Sequence, residues 1–340
     1  MEPFKLKSRY YYIRLTEEEQ KIYRQIYDAW HTGGTKATLT VPGRGFELPS
    51  GRKLHDIVTF LVHDNPHLFH LETSQFLYNR LGDTVTIEAE NVYTPEEYQR
   101  IYQALNKRVD EILAKARQYP TDMERVRFLH DYLAENITYD YGKPDPRSQR
   151  EVHTIVGALL NSACVCDGYS RAFRLLCDRM HISCIVVTGE GFPDGKREGH
   201  AWNIVKIDGK VYHCDVTWDS NWIAAGSFVR DYYFLRSDKV FKEAHDWDTK
   251  FFHPITEDAP RAYPILRNKK ELESCVCDAV RKGKKELIVH MDDSFPDQDK
   301  LLSLVSKIMD RNKLLFLTRG IFGCSVQFSD KGKAGRLKFK

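Results

Sequence analysis

Three short stretches carry the side chains that could do chemistry: Ala163-Cys164-Val165-Cys166-Asp167-Gly168-Tyr169-Ser170, Gly199-His200-Ala201-Trp202-Asn203, and Tyr212-His213-Cys214-Asp215-Val216-Thr217-Trp218-Asp219. A cysteine, a histidine and an aspartate in that order offer a thiol nucleophile, a base for its proton and a carboxylate to orient the base. Whether they can meet depends on the elements that hold them.

Tyr169, Ala172, Phe173, Leu176 and Met180 recur at three- and four-residue spacing with no proline between them, which predicts a helix over residues 166–180. Cys166 then sits in the first helical turn, where unsatisfied backbone N–H groups and the positive end of the helix dipole favour a thiolate. Gly168 is read as leaving room beside the sulfur. The β-branched run Ser183 to Gly189 reads as a strand and Glu190 to Gly199 as a polar loop. Strands over Ala201–Ile207 and Lys210–Val216 follow, joined by Asp208-Gly209, a two-residue hairpin signal. Pairing Ile207 with Lys210 would put Trp202 opposite Asp215 and His200 opposite Thr217, making His200 and Asp215 diagonal neighbours on one face. A register one residue longer would send the aspartate to the other face.

Taken together, the C-x-G-Y helix start, the G-H-A-W-N strand and the D-x-T-W-D strand end resemble the transglutaminase-like branch of the papain-like cysteine enzymes, over about residues 95–250. The resemblance extends to the Phe241–Asp248 segment, with His245 and Trp247, which is similar to the end of such cores in bacterial members. It implies an α+β fold with a nucleophile helix packed on an antiparallel sheet, no metal and no cofactor, and acyl chemistry on amide or peptide substrates. By motif position Cys166 matches the nucleophile, His200 the base and Asp215 the orienting carboxylate. The expected activity is acyl transfer through a thioester, as transglutaminase, peptidase or amidase; the alternative is a non-catalytic scaffold that binds a protein or peptide in the same cleft.

Rivals exist for two of these roles. His213 lies on the same expected face as His200 but opposite Ile204, and Asp167 or Asp219 could stand in for Asp215. Trp202 and Trp218 flank the motifs as site walls, and Asn203 faces the other way as a structural residue. A second oxyanion donor is needed besides the nucleophile's own N–H; Tyr139 and Tyr141, just upstream, are the candidates. His63, His67, His70, His130 and His153 read as surface or locally hydrogen-bonded groups.

Eight cysteines in 340 residues are too few for a disulfide framework. Cys166 and Cys177 would lie about 16 Å apart along one helix, too far to share a zinc ion. No apolar run of signal-peptide or membrane-spanning length is present, so the expectation is a cytoplasmic protein, or an extracytoplasmic one whose leader has been removed. Residues 261–340 hold 18 basic and 10 acidic residues, against 33 and 38 in the rest. A basic end could meet an acidic surface, but without a nucleic-acid module it reads as a solvated lysine-rich face. The partner expected is a protein or peptide substrate, with cell-envelope peptide among the candidates.

The remaining chain reads as an α/β unit over 1–92, the catalytic core over 93–253 and an α/β appendage over 265–340. Capping signals at Thr16 and Thr94 open helices to about Trp30 and Arg117. Short strands are expected at Phe69–Leu71, Ser74–Leu77 and Thr84–Glu90, and a strand at Asp231–Leu235 to close the core sheet. The appendage should run helix (270–281), strand (286–290), helix (298–310), then strands at Leu314–Thr318, Ser325–Phe328 and Leu337–Lys340.

Overall fold

Thr-x-x-Glu sequences set three helix starts in this chain. In the computed structural model, Thr16, Thr94 and Thr121 each accept a hydrogen bond from the backbone of the glutamate three residues on, whose carboxylate returns one to the threonine N–H. Described here are residues 9–40, 51–81, 84–142, 146–224, 231–261, 263–292, 294–295, 300–328 and 334–340. The chain divides into two compact units: Met1–Thr217 with Leu235–Asp258, and Trp218–Phe234 with Ala259–Lys340. Both helices and antiparallel sheets build it, as an α+β fold.

The first unit begins with α1 (Glu17–Trp30), β1 (Lys36–Thr40), α2 (Gly51–Asp64), β2 (Leu71–Leu81) and β3 (Thr84–Asn91). Ile22, Tyr23, Ile26 and Trp30 of α1 and Leu54, Ile57, Val58 and Leu61 of α2 share one core with Val85 and Ile87 of the sheet. Each such side chain contributes about 1.5–3 kcal/mol by leaving water. The two strands expected between Phe69 and Leu77 are instead the single strand β2, whose pairing with β3 slips between Glu72 and Phe76. That irregularity reads as a break in the sequence.

The helices α3 (Pro95–Ala116), α4 (Asp122–Asn136), α5 (Pro146–Glu151) and α6 (Ile155–Leu159), with the short β4 (Thr138–Tyr139), lead to β5 (Ala163–Cys164) and α7 (Cys166–Arg179). Part of the loop expected from Gly142 lies outside the described residues. β6 (Ser183–Gly191), β7 (Glu198–Ile207), β8 (Lys210–Cys214), α8 (Val216–Ala224), α9 (Asp238–Phe241) and β9 (His245–Asp246) complete the core. Its sheet runs β8-β7-β6-β9, all antiparallel. α7 lies against β6 and β7, tied there by the buried Asn203 amide, which donates to the Ser170 and Ile185 carbonyls (3.0 and 3.1 Å). Asn203 is therefore structural, on the face that meets the helix.

Two expectations about the sheet are corrected. The last hairpin strand ends at Cys214, not Val216, because Val216 opens α8. Residues 231–235 do not form a strand; the second edge is β9, paired Gly191↔His245 and Glu190↔Asp246. Gly189 makes that edge possible, since a Cβ there would lie 2.2 Å from the Asp246 carbonyl and 2.8 Å from the Trp202 ring.

In the second unit, β10 (Ile265–Leu266), α10 (Lys269–Arg281), β11 (Glu286–Met291), α11 (Leu301–Arg311), α12 (Lys313–Thr318), β12 (Cys324–Phe328) and β13 (Ala334–Phe339) form a sheet of order β10-β11-β13-β12 with helices over it. The strand expected at Leu314–Thr318 is the helix α12. A leucine-rich run has good helix propensity and no period to separate the two states; only Phe316 of it is buried. The expected helix start at Gln298 lies outside the described residues.

Candidate active site

The residues singled out on α7, β7 and the end of β8 come together in the first unit. Val165 precedes the first turn of α7 and makes no side-chain capping bond, so the Cys166 thiol and the first backbone N–H groups of the helix share one end. The glycine beside it acts differently from the expectation. A Cβ on Gly168 would meet Cys164 Cβ at 2.5 Å and the Val152 carbonyl at 2.6 Å. Gly168 thus lets α7 close on Cys164 and the α5–α6 connection rather than making room at Cys166.

The hairpin pairs Ile207 with Lys210 and Ile204 with His213, as its turn requires. His200 and Trp202 therefore point to the same side as His213 and Asp215. The β7–β8 ladder stops at Asn203↔Cys214, so His200, paired with Gly189 of β6, has no β8 residue opposite it. Asp215, in the single-residue step between β8 and α8, reaches it directly: His200 Nε2–H donates to Asp215 Oδ2 at 2.7 Å. Asp215 is fully buried, and 8% of the His200 side chain is exposed.

The electrostatics of the pair follow from its burial and its partners. Burial opposes protonation of His200, but the Asp215 charge and hydrogen bond, with a further hydrogen bond to the Cys166 thiol, outweigh it and raise the imidazole from 6.5 to about 10. Burial would push the Asp215 carboxyl up, but the His200 charge and the N–H groups of His200 and His245 hold it well below the usual carboxylate range. An imidazolium between a carboxylate and a thiol is thereby favoured at neutral pH. This is the arrangement that lets a thiol act as a nucleophile.

The rival residues are engaged elsewhere. His213 Nδ1 accepts the Trp202 indole N–H at 3.0 Å, and its Nε2–H donates to Asp238 at 2.9 Å. The indole can only donate, so this histidine is neutral, and burial lowers its affinity for a proton further. Asp167 meets His153 Nδ1 at 3.2 Å. Asp219 belongs to the second unit and accepts the Tyr233 N–H at 3.0 Å.

Of the two expected walls, Trp202 is buried with its ring 6.0 Å from that of His200. Trp218 belongs to the second unit, packed edge-on against Tyr233. The two tyrosines also separate. Tyr139 is half-buried on β4, paired with Cys164, and its hydroxyl is held un-ionised by burial and by the neighbouring Cys166. Tyr141 is 86% exposed and leans on the Tyr139 ring at 4.9 Å.

Sequence reasoning gave no role to His245. Its Nε2–H donates to the same Asp215 oxygen at 3.0 Å. His200, Asp215 and His245 are the one group of His, Cys, Asp and Glu side chains among the described residues whose ligand atoms lie close enough together, within 4.8 Å, to consider a metal ion. Two N–H groups directed at one carboxylate oxygen account for that spacing as hydrogen bonds. The signal that could have found His245 is the aromatic run around it, since Phe241 and Trp247 both pack on His213.

A thiol at a helix start, with a histidine on an antiparallel sheet and an aspartate just past the next strand, resembles the arrangement of the papain-like cysteine enzymes. The sequence model of the Transglutaminase-like superfamily, which includes transglutaminases and cysteine proteases, matches residues 103–219 of this chain. Among curated proteins, Kyphoscoliosis peptidase of Homo sapiens is 24% identical over 272 residues, 72% of this chain and 40% of that protein. The Mus musculus protein of the same name is 28% identical over 159 residues, 43% of this chain and 23% of its own length. The chain thus spans less than half the length of these relatives. A solved structure described as a TGase overlaps 68% of this chain and 58% of its own at 16% identity, with a TM-score of 0.32.

Proposed function

We propose that this chain is a cysteine acyl-transfer enzyme acting on amide bonds of protein or peptide substrates, with Cys166 as nucleophile, His200 as acid and base, and Asp215 as the orienting carboxylate. The observation that carries this reading is the buried 2.7 Å His200–Asp215 pair, whose imidazole is also hydrogen-bonded to the thiol at the head of α7.

The Cys166 thiolate attacks the substrate carbonyl carbon; the C–S bond forms as the carbonyl electrons move to oxygen. The Cys166 N–H and the Tyr139 hydroxyl receive that oxyanion, and one such donor contributes about 2.7–4 kcal/mol to the transition state. The C–N bond then breaks as His200 gives its proton to the departing amine, leaving a thioester. Water or a second amine attacks the thioester, His200 takes the proton, and the C–S bond breaks to return the thiolate. Water gives hydrolysis and an amine gives transamidation. Trp202 shields the imidazole from solvent on one side.

The test is the pH dependence of iodoacetamide alkylation of the native protein, with peptide mapping, for the natural sequence and His200→Ala. Selective modification of Cys166 ahead of the other cysteines, and its loss in the variant, are expected. A Cys166 that reacts no faster than the other seven cysteines would overturn the proposal in favour of a binding scaffold.

A further inference from the structure

The Asp215 carboxylate is bound from two sides by imidazoles through one atom. Oδ2 accepts from His200 Nε2 at 2.7 Å and from His245 Nε2 at 3.0 Å, and both His245 and Asp215 are fully buried. A buried carboxylate held by a single hydrogen bond can rotate about its own axis and can draw the proton of its partner toward itself. A second N–H on the same oxygen opposes both. We propose that His245 is a positioning residue for the reaction: its Nε2–H fixes Asp215 Oδ2 against His200 and moderates the hold of the carboxylate on the His200 proton.

The fold spends several features on holding His245 in place. It stands on β9, paired with Gly191, while the Phe192 N–H donates to the Ala244 carbonyl at 2.9 Å. Arg197 bridges Glu190 and the adjacent Asp246. Gly189 admits the β9 backbone at a distance that no side chain would permit. The rings of Phe241 (4.5 Å) and Trp202 (5.0 Å) lie against the imidazole. The titratable groups that act on it are Asp215, His200 and His213. Those acting on His200 are Asp215 from the end of β8 and Cys166 from α7, with His245 from β9.

The chemical consequence has a sign. In the step that expels the amine, His200 must release its proton, and a proton held too tightly is given up slowly. Withdrawing the His245 N–H leaves more charge on Oδ2 to hold the His200 proton, so the proton affinity of His200 rises and the acid step slows. This role rests on the proposed reaction, but proton binding at His200 can be followed without turnover.

The experiment is a pH titration of the full chain labelled with 15N-histidine, reading His200, together with Cys166 alkylation of the same samples. His245→Leu keeps the volume without the donor, and His245→Gln keeps an N–H. The expected result is a His200 midpoint raised by about half a pH unit or more in His245→Leu, with His245→Gln close to the natural protein. An unmoved midpoint in His245→Leu, or equal shifts in both variants, would overturn the proposal. If His245→Leu does not fold, the natural protein decides by the His245 protonation: a proton on Nε2, slow to exchange, supports the role, and a proton on Nδ1 with none on Nε2 excludes it. Unactivated Cys166 with a shifted midpoint would count against the proposed function and leave this coupling standing.

Discussion

Two groups of buried histidines in the first unit behave in opposite ways. His63, His67 and His70, at the end of α2 and the turn into β2, are 3%, 9% and 0% exposed. Their partners are neutral where hydrogen bonds are made: the Tyr27 hydroxyl for His67 and the Gly34 carbonyl for His70. Burial lowers them to about 4, 3 and 4. His200 is nearly as buried, yet is raised to about 10 by Asp215 and Cys166. In these four histidines burial lowers the imidazole, and only at His200 do a carboxylate and a thiol outweigh it.

The sharpest way to break the contrast is Asp215→Asn. Without the carboxylate, the desolvation that governs His67 governs His200 too, and its midpoint should fall from about 10 to below 6.5. The imidazole also loses its orientation, and the reaction should slow by about 10²–10⁴. Histidine NMR and single-turnover acylation measure the two effects. A midpoint that stays near its natural value would show that Asp215 does not govern the imidazole.

The same contrast predicts opposite stability slopes. A midpoint lowered from 6.5 to about 4 stabilises the fold above pH 6.5, and that stability is lost as pH falls through 4. His63, His67 and His70 should each contribute on the order of 3–5 kcal/mol to an acid limb. His200, raised, contributes fully below 6.5 and loses its contribution as pH rises through about 10. Urea unfolding at stepped pH should show His67→Gln flattening the limb between pH 6.5 and about 3 and His200→Gln the alkaline one, with the loss of the His200 hold on Asp215 adding a change only below about pH 4. A variant that flattened both would end the distinction.

Smaller still is the division between the two tyrosines. Tyr139→Phe removes the half-buried hydroxyl beside Cys166 and should lower the acylation rate about tenfold or more with little change in substrate binding. Tyr141→Phe, on an exposed side chain, should leave it unchanged. Equal losses would move the oxyanion site away from Tyr139.

Much of this was legible because it is local. The helix starts at Thr16 and Thr94 and the Ile207–Lys210 turn are set by residues a few positions apart. The His200–Asp215 contact follows from that turn, even though β8 ends one residue early and Asp215 reaches across from a step rather than a strand. What the sequence hid depends on distant packing. The burial of His63, His67, His70 and His130, read as surface or local groups, comes from helices and turns folding over them. The two-residue β9 carries no period, so neither the sheet edge nor the His245 bond to Asp215 could be read. The helix α12 and the strand expected at 231–235 show the same limit: a short apolar run does not state which backbone conformation carries it.

His213 is the case between the two groups, and Trp202→Phe tests it. It has a carboxylate partner, Asp238, at 2.9 Å, as His200 has Asp215. Yet it is lowered rather than raised, by burial and by its cationic neighbours against the pull of Asp238. The indole N–H adds a geometric reason, because protonating Nδ1 would set two donors against each other. Phenylalanine keeps the ring and removes that donor. The His213 midpoint should then rise by up to about one unit, read by histidine NMR, while His200 stays within error. If His213 does not move, burial alone keeps it neutral; if His200 moves with it, the two histidines on this face share one network through the Trp202 ring.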